Sequence, residues 1–435
     1  MRVEAKQIQI VAKKKLVNKE YIGFLFVSLA LFLLPLERFE FFTSIRVVDF
    51  VLIPLVGYGI LNAWLANQRI YLPLAWPMGL ILIASLIATM GGVSHERGLM
   101  SIFQEIYLFT WFIVITNFLI LFSLNGVDKL AKVWAVIALI EATTTLMGML
   151  QIGPYVFYTE PTAGYVMASS GVNRGIGTFV NPNAAAAYLS ISFFVLLATS
   201  WPKSLKLILG FWIFVGIYAT SSMGATVSTL GGFIVLILTF ILMYNTNMAK
   251  FWIGILTIFI SIVLFAVSIS GPTFIKFLNH VTEAQGLVLM IGRLPKSLMG
   301  RVSLIQDGWN SYKFYPFGLG PSTSDLHNDY VAFLFERGPF GLIGWLWLIG
   351  VGLRAIWKTA RAQEKLFYRW QVLALGAAFL SIMVNSFSHE VFHFRQVWML
   401  MAFLFASCTL LSTPPGSATS TSFHMNTGNK IDENN

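Results

Sequence analysis

"STSDLHNDYVAFLFERGPFGLIG" occupies residues 322–344 and opens an apolar run that extends over 339–357. A helix needs roughly 20 mostly apolar residues to cross about 30 Å of hydrocarbon, so this run reads as a membrane span. Immediately ahead of it stand Asp325, His327, Asp329, Glu336 and Arg337, polar groups gathered at one mouth of the span. Comparable apolar runs recur along the chain. With 57% hydrophobic and only 11% charged residues over 435 positions, the composition excludes an ordinary water-soluble domain.

The pattern predicts an all-α integral membrane protein with about twelve transmembrane helices. The expected spans are 21–36, 47–65, 72–90, 102–123, 130–152, 183–200, 205–221, 224–244, 251–270, 339–357, 370–388 and 396–412. The alternating ten-residue segments of a membrane β-barrel are lacking, so backbone groups must pair within helices. Cations set the orientation. Lys13, Lys14 and Lys15 in residues 1–20 mark a cytoplasmic basic N-terminus with an uncleaved anchor behind it. Lys129, Lys132, Lys203, Lys206 and the group Arg354 to Arg369 then fall on the same side. The net charge of +10 is read as topology and attraction to membrane lipids, with no nucleic-acid partner.

Residues 21–412 form the polytopic membrane domain, and 153–182 and 271–338 become its external loops. The second precedes the tenth span and is too long for a simple connector. Residues 413–435, rich in Ser, Thr, Pro and Asn, read as a disordered cytoplasmic tail. Cys408 is the single cysteine, which excludes an internal disulfide or a cysteine metal site. No Gly-rich phosphate loop ending in Lys-Ser or Lys-Thr is present, which argues against direct ATP use.

The external polar residues carry the chemistry. "NRGIGTFVNPNAAAAYL" sets Arg174 before two glycines and an Asn-Pro-Asn turn in which Asn181 can cap a helix and Pro182 can begin it. "VTEAQGLVLMIGRLPKSLMGR" carries Arg293, Lys296 and Arg301 among apolar residues, as expected of a helix lying on the membrane surface. His327 is either a satisfied structural group or a base. A neutral imidazole can accept a hydroxyl proton near neutral pH, oriented by a nearby carboxylate such as Asp325, Asp329 or Glu336.

From Arg174 to Trp398 the chain resembles the bacterial O-antigen ligase and polysaccharide polymerase superfamily, closest by motif to the ligases. The ligase pattern of His, then Asn, Ser or Gln, nine residues, Gly, two residues and then Gly, Thr or Tyr is met by His327, Asn328, Gly338 and Gly341. "GTFVNPNAAAAYL" resembles the family stretch that follows an external arginine, matched by Arg174. "GRVSLIQDGWNSYKFYPFGLG" resembles its Arg, Trp, Pro and Gly-x-Gly segment, with Arg301 in the arginine's place. The chain departs from the family at Ser222-Met223-Gly224, where many members have Ser-Arg-Gly.

The resemblance implies a glycosyltransferase that moves a glycan from undecaprenyl diphosphate to a hydroxyl of lipid A core or another glycan. It implies a bacterial inner membrane protein whose active site faces the periplasm, working without ATP, metal or other cofactor. His327 would act as base. Arg174 and Arg301, with Arg293 more weakly, would hold the diphosphate, since a guanidinium fork binds its oxygens bidentately. Asn328, Asp329, Gly338 and Gly341 would support the site, and Arg337 would orient its neighbours. A repeat-unit polymerase with the same donor is the first alternative. The second is a secondary transporter or flippase, favoured by Glu141 inside an apolar span. The structural alternative for Glu141 is a carboxyl hydrogen-bonded to Thr143, Thr144 or Thr145.

Overall fold

The computed structural model describes residues 21–37, 40–42, 45–65, 70–154, 174–244, 294–323 and 326–412. The basic N-terminus, the expected span 251–270, Arg293, Asp325 and the tail 413–435 lie outside these residues. Among the described residues the chain is helical apart from a two-stranded antiparallel ribbon, β1 (Glu40–Phe42) and β2 (Ile45–Arg46).

The helices are α1 (Tyr21–Leu33), α2 (Asp49–Leu65), α3 (Ala75–Gly91), α4 (His95–Leu121), α5 (Ser123–Leu150) and α6 (Pro182–Ala198). They continue as α7 (Lys203–Ala219), α8 (Met223–Tyr244), α9 (Leu294–Tyr312), α10 (Asp329–Ala362), α11 (Leu366–Asn385) and α12 (Arg395–Ser412). Six of them, α4, α5, α8, α10, α11 and α12, are long and apolar enough to cross a membrane. Every expected span among the described residues overlaps a helix, most to within a few residues, while α4 and α5 each begin seven residues ahead of the expected start.

The tenth expected span needs correcting at its start. Helix α10 begins at Asp329, ten residues ahead of the apolar run, because Asn328 caps it: the Asn328 side chain accepts from the Val331 N–H at 3.1 Å. Part of the expected external loop is therefore helical, and so is residues 294–312 as α9. Hydropathy alone does not register either segment, since both carry polar residues.

The centre of the bundle is α6, buried on nearly every side between α5, α7 and α11. Ala184 to Ala187 remove side-chain bulk and let these neighbours approach closely. Trp111, Trp134, Trp345 and Trp398 are fully buried. The Trp398 ring packs edge-on against Phe109 at 5.0 Å and Phe392 at 5.4 Å between centroids. A separate small cluster of Leu319, Leu326, Ala332 and Phe335, with Ile305 and Tyr312 against it, fastens α9 to the first turns of α10.

Hydrogen bonds define the two ends of the bundle. At one end Asp128 pairs with Lys132 at 2.7 Å and accepts from the Ser200 N–H at 2.7 Å, while Lys206 reaches the carbonyls of Leu197 and Thr199. The Trp370 indole donates to Leu197 there as well. This end carries the cations read as cytoplasmic. Arg174, the start of α8, the α11–α12 connection and His327 meet at the other end.

Candidate functional site

Helix α10 is built around a break at Gly338, whose φ of 69° and ψ of −173° lie outside helical space. Pro339 follows and supplies no N–H, which suits the first position of the renewed helix. Across the break, the Leu319 and Gly320 N–H groups donate to the Phe335 and Glu336 carbonyls at 2.8 and 3.0 Å. A side chain at Gly338 would strike the Phe317 backbone, and one at Gly341 would strike Arg337 Cβ. The glycine spacing matched in the sequence is thus the spacing of one crowded joint. Val93, just past α3, donates to the Leu319 carbonyl at 2.8 Å and anchors the joint to the bundle.

His327 sits two residues before α10 with its side chain exposed and φ of 50°. A non-glycine residue there is held by its surroundings, since the left-handed region costs about 1 kcal/mol or more. The holding group is Glu390, whose Oε1 accepts from the Leu326 N–H at 2.8 Å and the His327 N–H at 3.1 Å. The His389 ring lies edge-on to that of His327, 6.4 Å between centroids. Asn328 Nδ2 donates to the Phe387 carbonyl at 3.1 Å.

The acids expected around His327 serve other partners. Asp329 is buried and turned away: its Oδ2 accepts from the Val391 N–H at 3.0 Å, and the Phe392 N–H approaches Oδ1 at 3.4 Å. Glu336 pairs with Arg337 at 3.1 Å. Arg337, also buried, donates from Nε and Nη2 to Oε1 of Glu105 in α4 at 2.9 and 2.7 Å, and the Ser85 hydroxyl of α3 donates to Oε2 at 2.8 Å. Its guanidinium stands 4.6 Å over the Phe333 ring. His393 borders this cluster with a buried Nδ1 that has no hydrogen-bond partner among the described residues. Burial and the nearby Arg337 charge push its pKa down to about 3.

Arg174 is half-buried beside the α7–α8 corner, its Nε donating to the Thr220 carbonyl and its Nη2 to Asn183 Oδ1, both at 3.1 Å. The local sequence explains its placement. Asn181 accepts from the Asn183 and Ala184 N–H groups with Pro182 at the first helical position, as expected. Gly175 and Gly177 press the loop onto α5, where a Cβ would meet Thr145 and Glu141. Glu141 accepts from the Thr178 hydroxyl at 2.7 Å and its N–H at 3.1 Å, with Thr144 and Thr145 hydroxyls at 3.4 Å. Thr143 instead bonds the Leu139 carbonyl and the Trp212 indole. The carboxyl of Glu141 is a fastener for the loop bearing Arg174.

From Thr220 the chain enters α8 at Ser222-Met223-Gly224, and Gly224 lies against Ser388 and Asn385 of the α11 end. Arg174, the α8 start and the His327 turn therefore line one end of the bundle. Arg301 lies on α9, and its side chain is outside the described part. Among the described residues no group of three or more His, Cys, Asp or Glu side chains is arranged to hold a metal.

Sequence reasoning missed Glu105, His389 and Glu390. The stretch "SFSHEVFHFR", residues 386–395, did carry a signal: two histidines and an acid crowded between two apolar runs. Glu105 carried none beyond being an acid in an apolar helix, because its partner Arg337 is 232 positions away.

No curated protein matches the chain significantly. Residues 208–346, from α7 past the α10 break and including His327, match a family model described as O-Antigen ligase. This part of the chain is similar to the O-antigen ligase family, which supports the resemblance to the ligase and polymerase superfamily.

Proposed function

We propose that the protein is a glycan transferase of the O-antigen ligase type. It takes a polysaccharide from undecaprenyl diphosphate and joins it to a hydroxyl of lipid A core or a similar acceptor, on the periplasmic face of the inner membrane. The observation that carries this reading is the exposed His327, held at the mouth of α10 within the matched domain and at the same end of the bundle as Arg174. His327 takes the proton of the acceptor hydroxyl. The oxygen attacks the anomeric carbon, the bond from that carbon to the diphosphate oxygen breaks, and the electron pair leaves on the phosphate. Attack opposite the leaving group inverts the configuration.

The leaving diphosphate gains negative charge, and Arg174 is a described cation at this end, beside the α8 start. Arg301 and Arg293 complete the anion site in this proposal. A well-placed donor of this kind contributes roughly 3–4 kcal/mol at the transition state, and a general base about 10²–10⁴ in rate. The transporter reading loses its main support, since Glu141 has a structural task.

The test uses purified protein in detergent with an undecaprenyl-diphosphate-linked glycan and candidate acceptors. His327→Ala and His327→Gln are expected to abolish transfer while still binding the donor. Arg174→Lys keeps the charge and loses the fork, so it is expected to weaken donor use. Substantial turnover by both His327 variants would return His327 to a structural role. A ladder of products in the wild-type reaction would favour the polymerase alternative.

A further inference from the structure

We propose that Glu390, in the α11–α12 connection, is a positioning residue for His327, acting through the main chain. The proposal rests on the reading of His327 as the proton acceptor. Glu390 lies outside the matched segment 208–346, and nothing in the spacing of the ligase motif points to it.

A single carboxylate oxygen of Glu390 receives two consecutive N–H groups, those of Leu326 and His327. These amides precede α10, so no helical carbonyl is in register to accept them. A charged acceptor spanning both fixes the peptide plane between them and with it the Cα–Cβ direction of His327. That is how a histidine is kept at φ 50°, a conformation it would otherwise leave. Three more bonds tie the same connection to residues 328 and 329: the Asn328 side chain to Phe387, the Asp329 N–H to Ser386 at 2.9 Å, and the Asp329 carboxylate to Val391. Those bonds hold the start of the helix. Glu390 holds the histidine's own peptide.

His389, adjacent to Glu390, presents its ring edge-on to His327, so one short turn sets both the backbone and one wall of the imidazole's surroundings. The two bonds that Glu390 accepts from Leu326 and His327 come from amides, and for these reach matters more than charge. A displacement of about 1 Å in a reacting group can cost on the order of 100-fold in rate, so loosening this clamp acts on turnover ahead of donor binding.

The experiment compares Glu390→Gln, Glu390→Asp, Glu390→Ala and His327→Ala in the full-length protein, with kcat, donor KM and thermal midpoint read for each. Glu390→Ala is expected to lose on the order of 100-fold in kcat at nearly unchanged donor KM. Glu390→Gln keeps an oxygen at the same reach and is expected to recover most of that loss, with an unmoved pH–rate profile. Glu390→Asp keeps the charge but loses the reach, and is expected to fall below the Gln variant. If Glu390→Ala turns over like wild type, the proposal is overturned. An Asp variant more active than the Gln variant, or a pH profile displaced in the Gln variant, also overturns it, since either makes the charge itself the active feature. Should the Ala variant fail to fold, the Gln–Asp order still decides. Full activity of His327→Ala would instead overturn the reading of His327 and would be seen separately.

Discussion

Two polar clusters ten residues apart, one on the turn before α10 and one within it, have opposite characters. Around Arg337, every charge is buried and answered: Glu105 and Glu336 pair with it and Ser85 bonds Glu105. Around His327, the backbone is pinned by Glu390 while the side chain remains exposed. A buried, saturated ion pair has no capacity left for a substrate and fixes helix positions. An exposed imidazole on a constrained backbone is compatible with the proton-acceptor role proposed for His327. Residue type would have ranked the two alike.

The largest expected effects test that contrast directly. His327→Ala should cut transfer by about 10²–10⁴ while leaving the thermal midpoint near wild type. Glu105→Ala should do the reverse: it strands Arg337 in the core and should cost about 3–5 kcal/mol of stability, measured by denaturation in detergent. If Glu105→Ala leaves stability untouched, the Arg337 cluster is not the anchor described above.

Gly338→Ala comes next, because alanine must adopt φ near 69° and meet the Phe317 backbone. A loss of roughly 1–3 kcal/mol is expected, with the joint between α10 and residues 317–320 loosened. A variant as stable as wild type would show that the break tolerates a side chain.

His393 sharpens the comparison through pH. Its folded pKa of about 3 lies below the ordinary value of 6.5, so the unfolded chain binds a proton that the folded one refuses. Its contribution is therefore neutral above about pH 6.5 and becomes destabilising as pH falls toward 3, by about 1–2 kcal/mol at pH 5. His393→Gln should flatten that part of the stability profile; an identical slope in the variant would remove His393 as its source. The smallest effect expected is that of Asn328→Ala, about 1 kcal/mol for a lost helix cap, read as a lowered thermal midpoint.

Much of the fold was legible in the sequence because membrane spans depend on the length and composition of single segments. Helices α1 to α8 and α10 to α12 coincide with apolar runs, and Asn181-Pro182 marked the start of α6 by local capping chemistry. The start of α9 falls in the stretch expected to lie on the membrane surface as a helix, whereas its continuation to Tyr312 and the early start of α10 were obscured, since polar residues interrupt the apolar signal there. In the candidate site, spacing singled out His327 and the glycines, whereas the structure places Asp329 away from His327. Proximity in sequence suggested a partnership, but helix geometry turned Asp329 toward residues 391–392.

By itself, then, the sequence determined most of the helices, some of their ends and the motif that brought His327 forward, all properties of contiguous stretches. Tertiary structure alone decided who partners whom across the chain. It joined Arg337 to Glu105, Arg174 to Thr220, Glu141 to Thr178 and Glu390 to the backbone of His327. Each pairing depends on which helix faces lie together, and that depends on packing among Ala, Gly and aromatic side chains from distant segments. A carboxylate's role follows from what it meets in space, and no single stretch of sequence carries that information.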